Sequence, residues 1–337
     1  MRLGLFLNAQ HPPEVRAAEA VRGCLEQVAL ARDLGFSAVM AGQHFLSEPF
    51  WMLQNVPFLG RVIGEAGEMQ VGTGIVLLTL LNPVEVAENF ATLDALSDGR
   101  FIAGVGVGYR PVENAAFGVD RGRGKLFEHK LGVVRRLLAG ETVTAEGPGF
   151  RLEDARLGLI PDEPPPIWIA ANGDKAVRRA GRLGDSWMIN PHTRLDELER
   201  QVGLFHEARA AAGHPPLGGL PVTKEICVAE TDELAMRIAR PYLEAKYSAY
   251  VEWGQSDVLP TGDTLRRQWE ELTTGGRFLI GAPDTVAEML REHERRLGTD
   301  LALCRIQWPG MPQEDALRSL RLLGERVLPA LAREPRP

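Results

Sequence analysis

Residues that would announce a specialised class are scarce in this sequence. Cys24, Cys227 and Cys304 are the only cysteines in 337 residues and form no C-x-x-C pair. That excludes a disulfide framework and a cysteine-rich zinc site, and leaves buried free thiols as the plain expectation. No apolar run approaches the roughly 20 residues that a membrane-spanning helix needs. The opening "MRLGLFLN" reads as a strand and lacks a basic-then-apolar leader, so a cytoplasmic protein is expected. Positive charge is not in excess: 38 Lys and Arg stand against 45 Asp and Glu, a net −7. A general nucleic-acid binder would show a basic face instead, although a local basic pocket for a phosphate remains open. Metal and nucleotide motifs are missing too. "HEARA" at His206 lacks the second histidine of H-E-x-x-H. A Walker loop ending at Gly124 and Lys125 would need glycine where Val119 stands and Ser or Thr where Leu126 stands. No metal site is expected.

What is present is a rhythm. Short apolar segments at 2–8, 37–41, 70–78, 101–105, 166–171, 185–190, 220–229 and 301–308 read as strands. Amphipathic or capped helices follow, at 14–34, 55–65, 83–97, 173–183, 194–212, after Thr231, and at 314–332. Asn82 before Pro83 is an N-cap followed by proline at the first helical position. Eight strand–helix units imply a parallel sheet with right-handed crossovers, and suggest one closed (β/α)8 TIM barrel over residues 1–337. A doubly wound open sheet is the alternative. Two stretches interrupt the rhythm. Residues 141–165, with "EGPGF" and "DEPPP", suggest a hairpin excursion, and 250–277 would hang over the C-terminal face of a barrel.

"GRFIAGVGVGYRPVE" (99–113) is the most distinctive run. A G-x-G-x-x-G fingerprint fails there, because Tyr109 or Pro111 occupies the third glycine position and the loop follows the fourth strand rather than the first. What remains is a strand whose end is bare backbone at Gly104, Gly106 and Gly108, suited to a phosphate or a flat ring, or to a tight turn. "AANGDKAVRRAG" sets Asn172 and Gly173 at a helix start with Lys175, Arg178 and Arg179 beyond, an anion site or a plain capped helix. Gln43 and His44 end the second strand, where a barrel builds its active site, although a lone histidine is often structural. Glycines inside "VGTGIVLL" mark a bulge or a ligand's close approach.

Together these pieces resemble the bacterial-luciferase-like superfamily of flavin-dependent oxidoreductases. The likeness is carried by "NPVEVAENFATLDALSDGRFIAGVGVGYRPVENAAFG", "PIWIAANGDKAVRRAGRLGDSWM" and "FLIGAPDTVAEML". It implies a (β/α)8 barrel that binds FMN, or the deazaflavin F420, at its C-terminal face. By position it implies that the backbone of Gly106, Val107, Gly108 and Tyr109 approaches the cofactor phosphate, with Asn172, Gly173 and Ala176 completing the site. Thr73 and Gly74 would lie behind the ring, where relatives often have a non-proline cis peptide, and Thr79 and Asn82 near the ring and ribityl chain. Many members carry Glu-His-His-Phe after the second strand. Here the run is Gly42, Gln43, His44, Phe45, so luciferase's catalytic histidine falls at Gln43. The resemblance then implies a catalytic part for His44, with Gln43 orienting flavin or substrate.

The expected activity is monooxygenation of a small organic substrate by O2 and reduced FMN, the latter from a separate flavin reductase because no nicotinamide site is evident. F420-dependent hydride transfer is the alternative; Arg110, Arg121, Arg123 and Lys125 could form a basic rim for its acidic tail. A flavin-binding protein without turnover is a third reading. A homodimer is expected through the helices after strands two and three, on Val56, Leu59, Val62, Ile63, Ala87, Ala91 and Ala95.

Overall fold

The computed structural model describes residues 1–119, 122–254, 269, 273 and 275–332. The eight expected strands are present: β1 (Arg2–Leu7), β2 (Ala38–Ala41), β3 (Gln70–Thr73), β4 (Phe101–Gly106), β5 (Ile167–Ala171), β6 (Ser186–Ile189), β7 (Leu220–Val228) and β8 (Thr299–Arg305). Each pairs in parallel with the next, and β8 pairs with β1. The sheet therefore closes into a (β/α)8 barrel, and the open-sheet alternative is set aside.

Parallel strands are covered on both faces, which explains their near-continuous burial. In β1, Leu3, Leu5 and Leu7 belong to the layer between strands and helices. Phe6 points the other way and joins Met40, Ile102, Met188, Leu301 and Leu303 in a cluster of its own. Gly4 shares the parity of Phe6, and a Cβ there would stand 2.8 Å from Leu303 Cδ2. The alternation in "LGLFL" is thus the register of a barrel strand.

Helix boundaries follow their local signals. The Asn82 side chain accepts the Val84 N–H at the start of helix Pro83–Leu96, and Thr231 accepts from Leu234 at the start of helix Asp232–Glu252. Antiparallel strands Val143–Gly147 and Phe150–Ala155 form the expected hairpin. All three cysteines are buried and unpaired; burial pushes the Cys24 and Cys227 thiols up to about 12. Among the described residues no helix is long and apolar enough to cross a membrane.

The third expected strand stops early. It breaks after Thr73 at a cis Gly74–Ile75 bond and resumes as Val76–Leu77 beside Val105 and Gly106. The glycine-containing "VGTGIVLL" disguised the break, although the resemblance had pointed to a cis bond there. An additional strand, Phe278–Gly281, pairs with Glu225–Val228 of β7; at four residues it was too short to stand out. The expected insertion at 250–277 lies mostly outside the described residues, as does Arg121. Of the residues expected on a dimer face, Leu59, Val62, Ala87 and Ala91 are buried in the core. Val56, Ile63 and Ala95 keep surface exposure.

Candidate active site

A cavity of about 480 Å3 opens at the C-terminal ends of the strands. Residues following β1, β2, β3, β4, β5 and β6 line it, together with Arg305 at the end of β8 and Tyr250 from helix Asp232–Glu252. This is the face on which a barrel of this kind builds its chemistry. Of the residues expected in the site, Gln43, His44, Gly74, Gly106, Val107, Gly108, Tyr109, Asn172, Gly173 and Ala176 all line the cavity.

One end is made of backbone. The carbonyls of residues 106–108 are held from behind: Leu78 N–H donates to Gly106 O at 3.0 Å, Thr79 Oγ1 to Val107 O at 2.5 Å, and Arg123 Nη1 to Gly108 O at 3.1 Å. Their peptide planes are thereby fixed. No protein group accepts the backbone N–H of Gly108, Tyr109, Gly173 or Asp174 among the described residues. The last two begin helix Asp174–Leu183, whose N-cap has no side-chain partner. Arg123 and Arg179 line the same end, Arg179 being steadied by Glu128 at 2.9 Å. A Cβ on Gly124 would come within 2.3 Å of the Arg179 guanidinium, so glycine is what lets that arginine lie there. Free N–H groups at a helix start beside two guanidinium groups make an anion cradle.

Thr73, Thr79 and Asn82 do not line the cavity. Thr73 and Thr79 stand behind the glycine loop, and Asn82 is exposed at a helix start. Thr73 is fully buried and donates to Gly104 O at 2.7 Å, Thr79 holds Val107, and Asn82 spends its side chain on a helix cap and on Gly149 O. In these positions Thr73 and Thr79 support the glycine loop, and Asn82 supports the helix start.

At the rim of β2, His44 Nδ1 lies 3.0 Å from Glu113 Oε1, which also accepts the Phe45 N–H at 2.8 Å. The carboxylate acceptor makes Nδ1 a protonated, donating nitrogen and fixes the orientation of the ring. Tyr109, Tyr250 and Trp253 stand around the imidazole with ring centroids 5.5–6.3 Å away. Gln43 has a different fate. Its Oε1 accepts Leu77 N–H and its Nε2 donates to Gln54, which in turn donates to His44 O. Gln43 thus ties the histidine segment to the chain following the cis bond. Arg110, counted for a basic rim, is instead buried. It donates to the Phe45 and Leu46 carbonyls, approaches Glu113 at 3.5 Å and lies 4.0 Å over the Trp253 ring.

The far end holds groups that no local pattern announced. Glu225 of β7 is fully buried and accepts from Lys246, Tyr247, Arg305 and Trp308. Burial alone would raise its carboxyl, but Lys246 and Arg305 outweigh that and hold it down at about 2. His192 also lines the cavity, and burial above all pushes its imidazole down to about 3, so it stays neutral at ordinary pH. Glu113 was missed although it sits inside the distinctive run. Glu225 had a faint signal, two charges in an otherwise buried strand, "TKEICV". Among the described residues no group of three or more His, Cys, Asp or Glu side chains could hold a metal ion.

Known proteins resemble this chain in sequence and fold. Residues 1–301 match the luciferase-like monooxygenase family. An F420-dependent glucose-6-phosphate dehydrogenase of Amycolatopsis mediterranei is 30% identical over 92% of this chain and 94% of its own. The enzyme of that name from Beutenbergia cavernae is 33% identical, but over only 50% of this chain and 52% of its own, so the chain spans about half of that relative. Among solved structures, the monooxygenase RslO1 of Streptomyces bottropensis superposes with a TM-score of 0.87 at 25% identity, covering 98% of this chain and 100% of that one. The chain belongs to the luciferase-like monooxygenase family.

Proposed function

We propose that the protein is a flavin-dependent monooxygenase that holds FMN in this cavity, its phosphate in the cradle of Gly108, Tyr109, Gly173, Asp174, Arg123 and Arg179. The observation that carries the reading is the set of N–H groups at Gly108, Tyr109, Gly173 and Asp174 that are unpartnered among the described residues, on the stretch of wall shared with Arg123 and Arg179. A dianionic phosphate satisfies donors and cations together.

When bound, the reduced flavin supplies electrons and, with O2, the oxygen atom delivered to a small organic substrate. The residues of the chain do the rest. The cradle fixes the cofactor. Glu113 holds His44 in one orientation, so that Nε2 can take a proton from the substrate or return it. Tyr109, Tyr250 and Trp253 wall the imidazole from bulk water. Reduced flavin would come from a separate reductase. Two copies would pair through helices Asn55–Ala66 and Pro83–Leu96, where Val56, Ile63, Ala95 and Leu96 face outward; light scattering of a monomer would remove that part.

F420-dependent hydride transfer is the second reading, favoured by the relatives of that activity. Against it stands the inward turn of Arg110, which shortens the basic rim that an acidic tail would follow. Titration of the purified chain with FMN and with F420, then turnover with either reduced cofactor in the presence and absence of O2, decides between them. Micromolar FMN binding with O2-dependent substrate oxidation supports the proposal. F420 binding alone replaces it, and tight flavin binding without turnover reduces the protein to a flavin carrier.

A further inference from the structure

The cavity wall carries three arginines, Arg123, Arg179 and Arg305, and among the described residues no aspartate or glutamate. Two of the three serve the cradle. The third lies at the other end, on β8, with its guanidinium 4.2 Å over the Phe6 ring. Its Nη1 reaches Glu225 Oε1 at 3.2 Å, but that same oxygen already accepts from Lys246 Nζ at 2.6 Å and Tyr247 Oη at 2.9 Å. Trp308 Nε1 takes the second carboxylate oxygen. Two cations therefore share one carboxylate, which already accepts four hydrogen bonds. Among the described residues Nε and Nη2 of Arg305 have no hydrogen-bond partner, and Arg305 lines the cavity.

A second donor is prepared beside it. Gln10 also lines the cavity. Its Oε1 accepts the Tyr250 hydroxyl at 3.2 Å, and its buried Nε2 has no partner among the described residues. Leaving such donors unmet costs more than their bonds return, so this wall is built for an acceptor. Among the described residues one positive charge of this cluster is also unmatched. Without an outside anion the cluster can shed it only as the Lys246 proton, and burial together with Arg305 already pushes that ammonium down to about 7.

We propose that Arg305 and Gln10 form a carboxylate-recognising subsite, and that the substrate of this enzyme is a small organic acid docked through its carboxylate at the end of the cavity away from the phosphate cradle. Nε and Nη2 of Arg305 present the two-pronged geometry that a carboxylate accepts, and Gln10 Nε2 adds a further donor. This inference rests on the cofactor reading above, because it assigns the remainder of the cavity to the substrate.

The test uses benzoate and its neutral counterpart benzamide, titrated calorimetrically into the protein before and after FMN loading. Benzoate should bind the loaded wild type at least about tenfold more tightly than benzamide, the margin expected of a charge-assisted contact. Arg305→Gln should lower benzoate affinity by about tenfold or more and leave FMN affinity within about twofold. Arg305→Lys keeps the charge without the fork and should fall between; with the wild-type discrimination, it decides the matter if the glutamine variant does not fold. Equal affinity for the two probes, no saturable benzoate binding, or unchanged benzoate binding in Arg305→Gln would overturn the proposal. So would a parallel loss of FMN, which would assign Arg305 to the cofactor. FMN binding is read separately: if FMN fails to bind while benzoate still binds through Arg305, the cofactor reading falls and the subsite stands.

Discussion

The two ends of the cavity are built from different materials. The cradle is backbone: a glycine loop after β4 and a helix start after β5, two neighbouring strands whose turns present N–H groups. The Arg305 end is side chain: Gln10, Glu225, Lys246, Tyr247, Arg305 and Trp308 come from β7, β8, one helix, the short strand Gln10–His11 and one loop. A backbone site depends on conformation and tolerates exchange of most nearby side chains. A buried side-chain network depends on every member, since removing one leaves another charge or donor unmet. The cradle is therefore suited to a cofactor moiety common to many enzymes, and the network to a choice of substrate.

Substitutions sharpen that contrast. Glu225→Gln should have the largest effect, destabilising the fold by about 3–5 kcal/mol because two buried cations lose their carboxylate; urea unfolding measures it. The Glu225 pKa is lower in the folded chain than its ordinary 4.5. Its contribution is therefore complete above about pH 4.5 and is lost as pH falls toward about 2. The variant should lack that part of the acid-unfolding limb, and an unchanged limb would show that the carboxylate is not ionised in the network.

Gly104→Ala comes next. A Cβ there would stand 1.8 Å from the Thr73 carbonyl oxygen, which is backbone and cannot swing aside. A loss of about 1–3 kcal/mol is expected, with weakened FMN binding as β3 and β4 are forced apart. His44→Ala should cut turnover at least about tenfold while FMN affinity stays within about twofold. Near-normal turnover would make His44 a packing residue and would break the division of labour between the ends. The smallest effect belongs to Lys125, which is exposed beside the cradle. Lys125→Ala should leave FMN affinity within about twofold, whereas a clear loss of F420 affinity would favour the second reading.

The same contrast explains what could be read in the sequence. The barrel was legible because each strand is a short apolar run followed by a helix with its own stop and start signals. The cradle was legible because it lies within two continuous runs, 104–109 and 171–176. The hydrogen bonds by which Thr73 and Thr79 back the glycine loop were not legible, since proximity along the chain does not say which way a side chain turns, whereas the N-cap role of Asn82 was. Arg110 was read as a surface cation, and only the fold reveals the Phe45 and Leu46 carbonyls waiting for it. Arg305, Glu225 and Lys246 share no local motif, and their meeting is a product of barrel closure.

The central claim, a phosphate held by backbone at residues 108–109 and 173–174, is tested most directly by titrating FMN and riboflavin into the wild type and Gly173→Asp. Riboflavin lacks the phosphate, and the aspartate sets a negative charge at the helix start. The account predicts that the variant weakens FMN by about tenfold or more while riboflavin is scarcely affected. Equal losses for both ligands, or none for either, would contradict it.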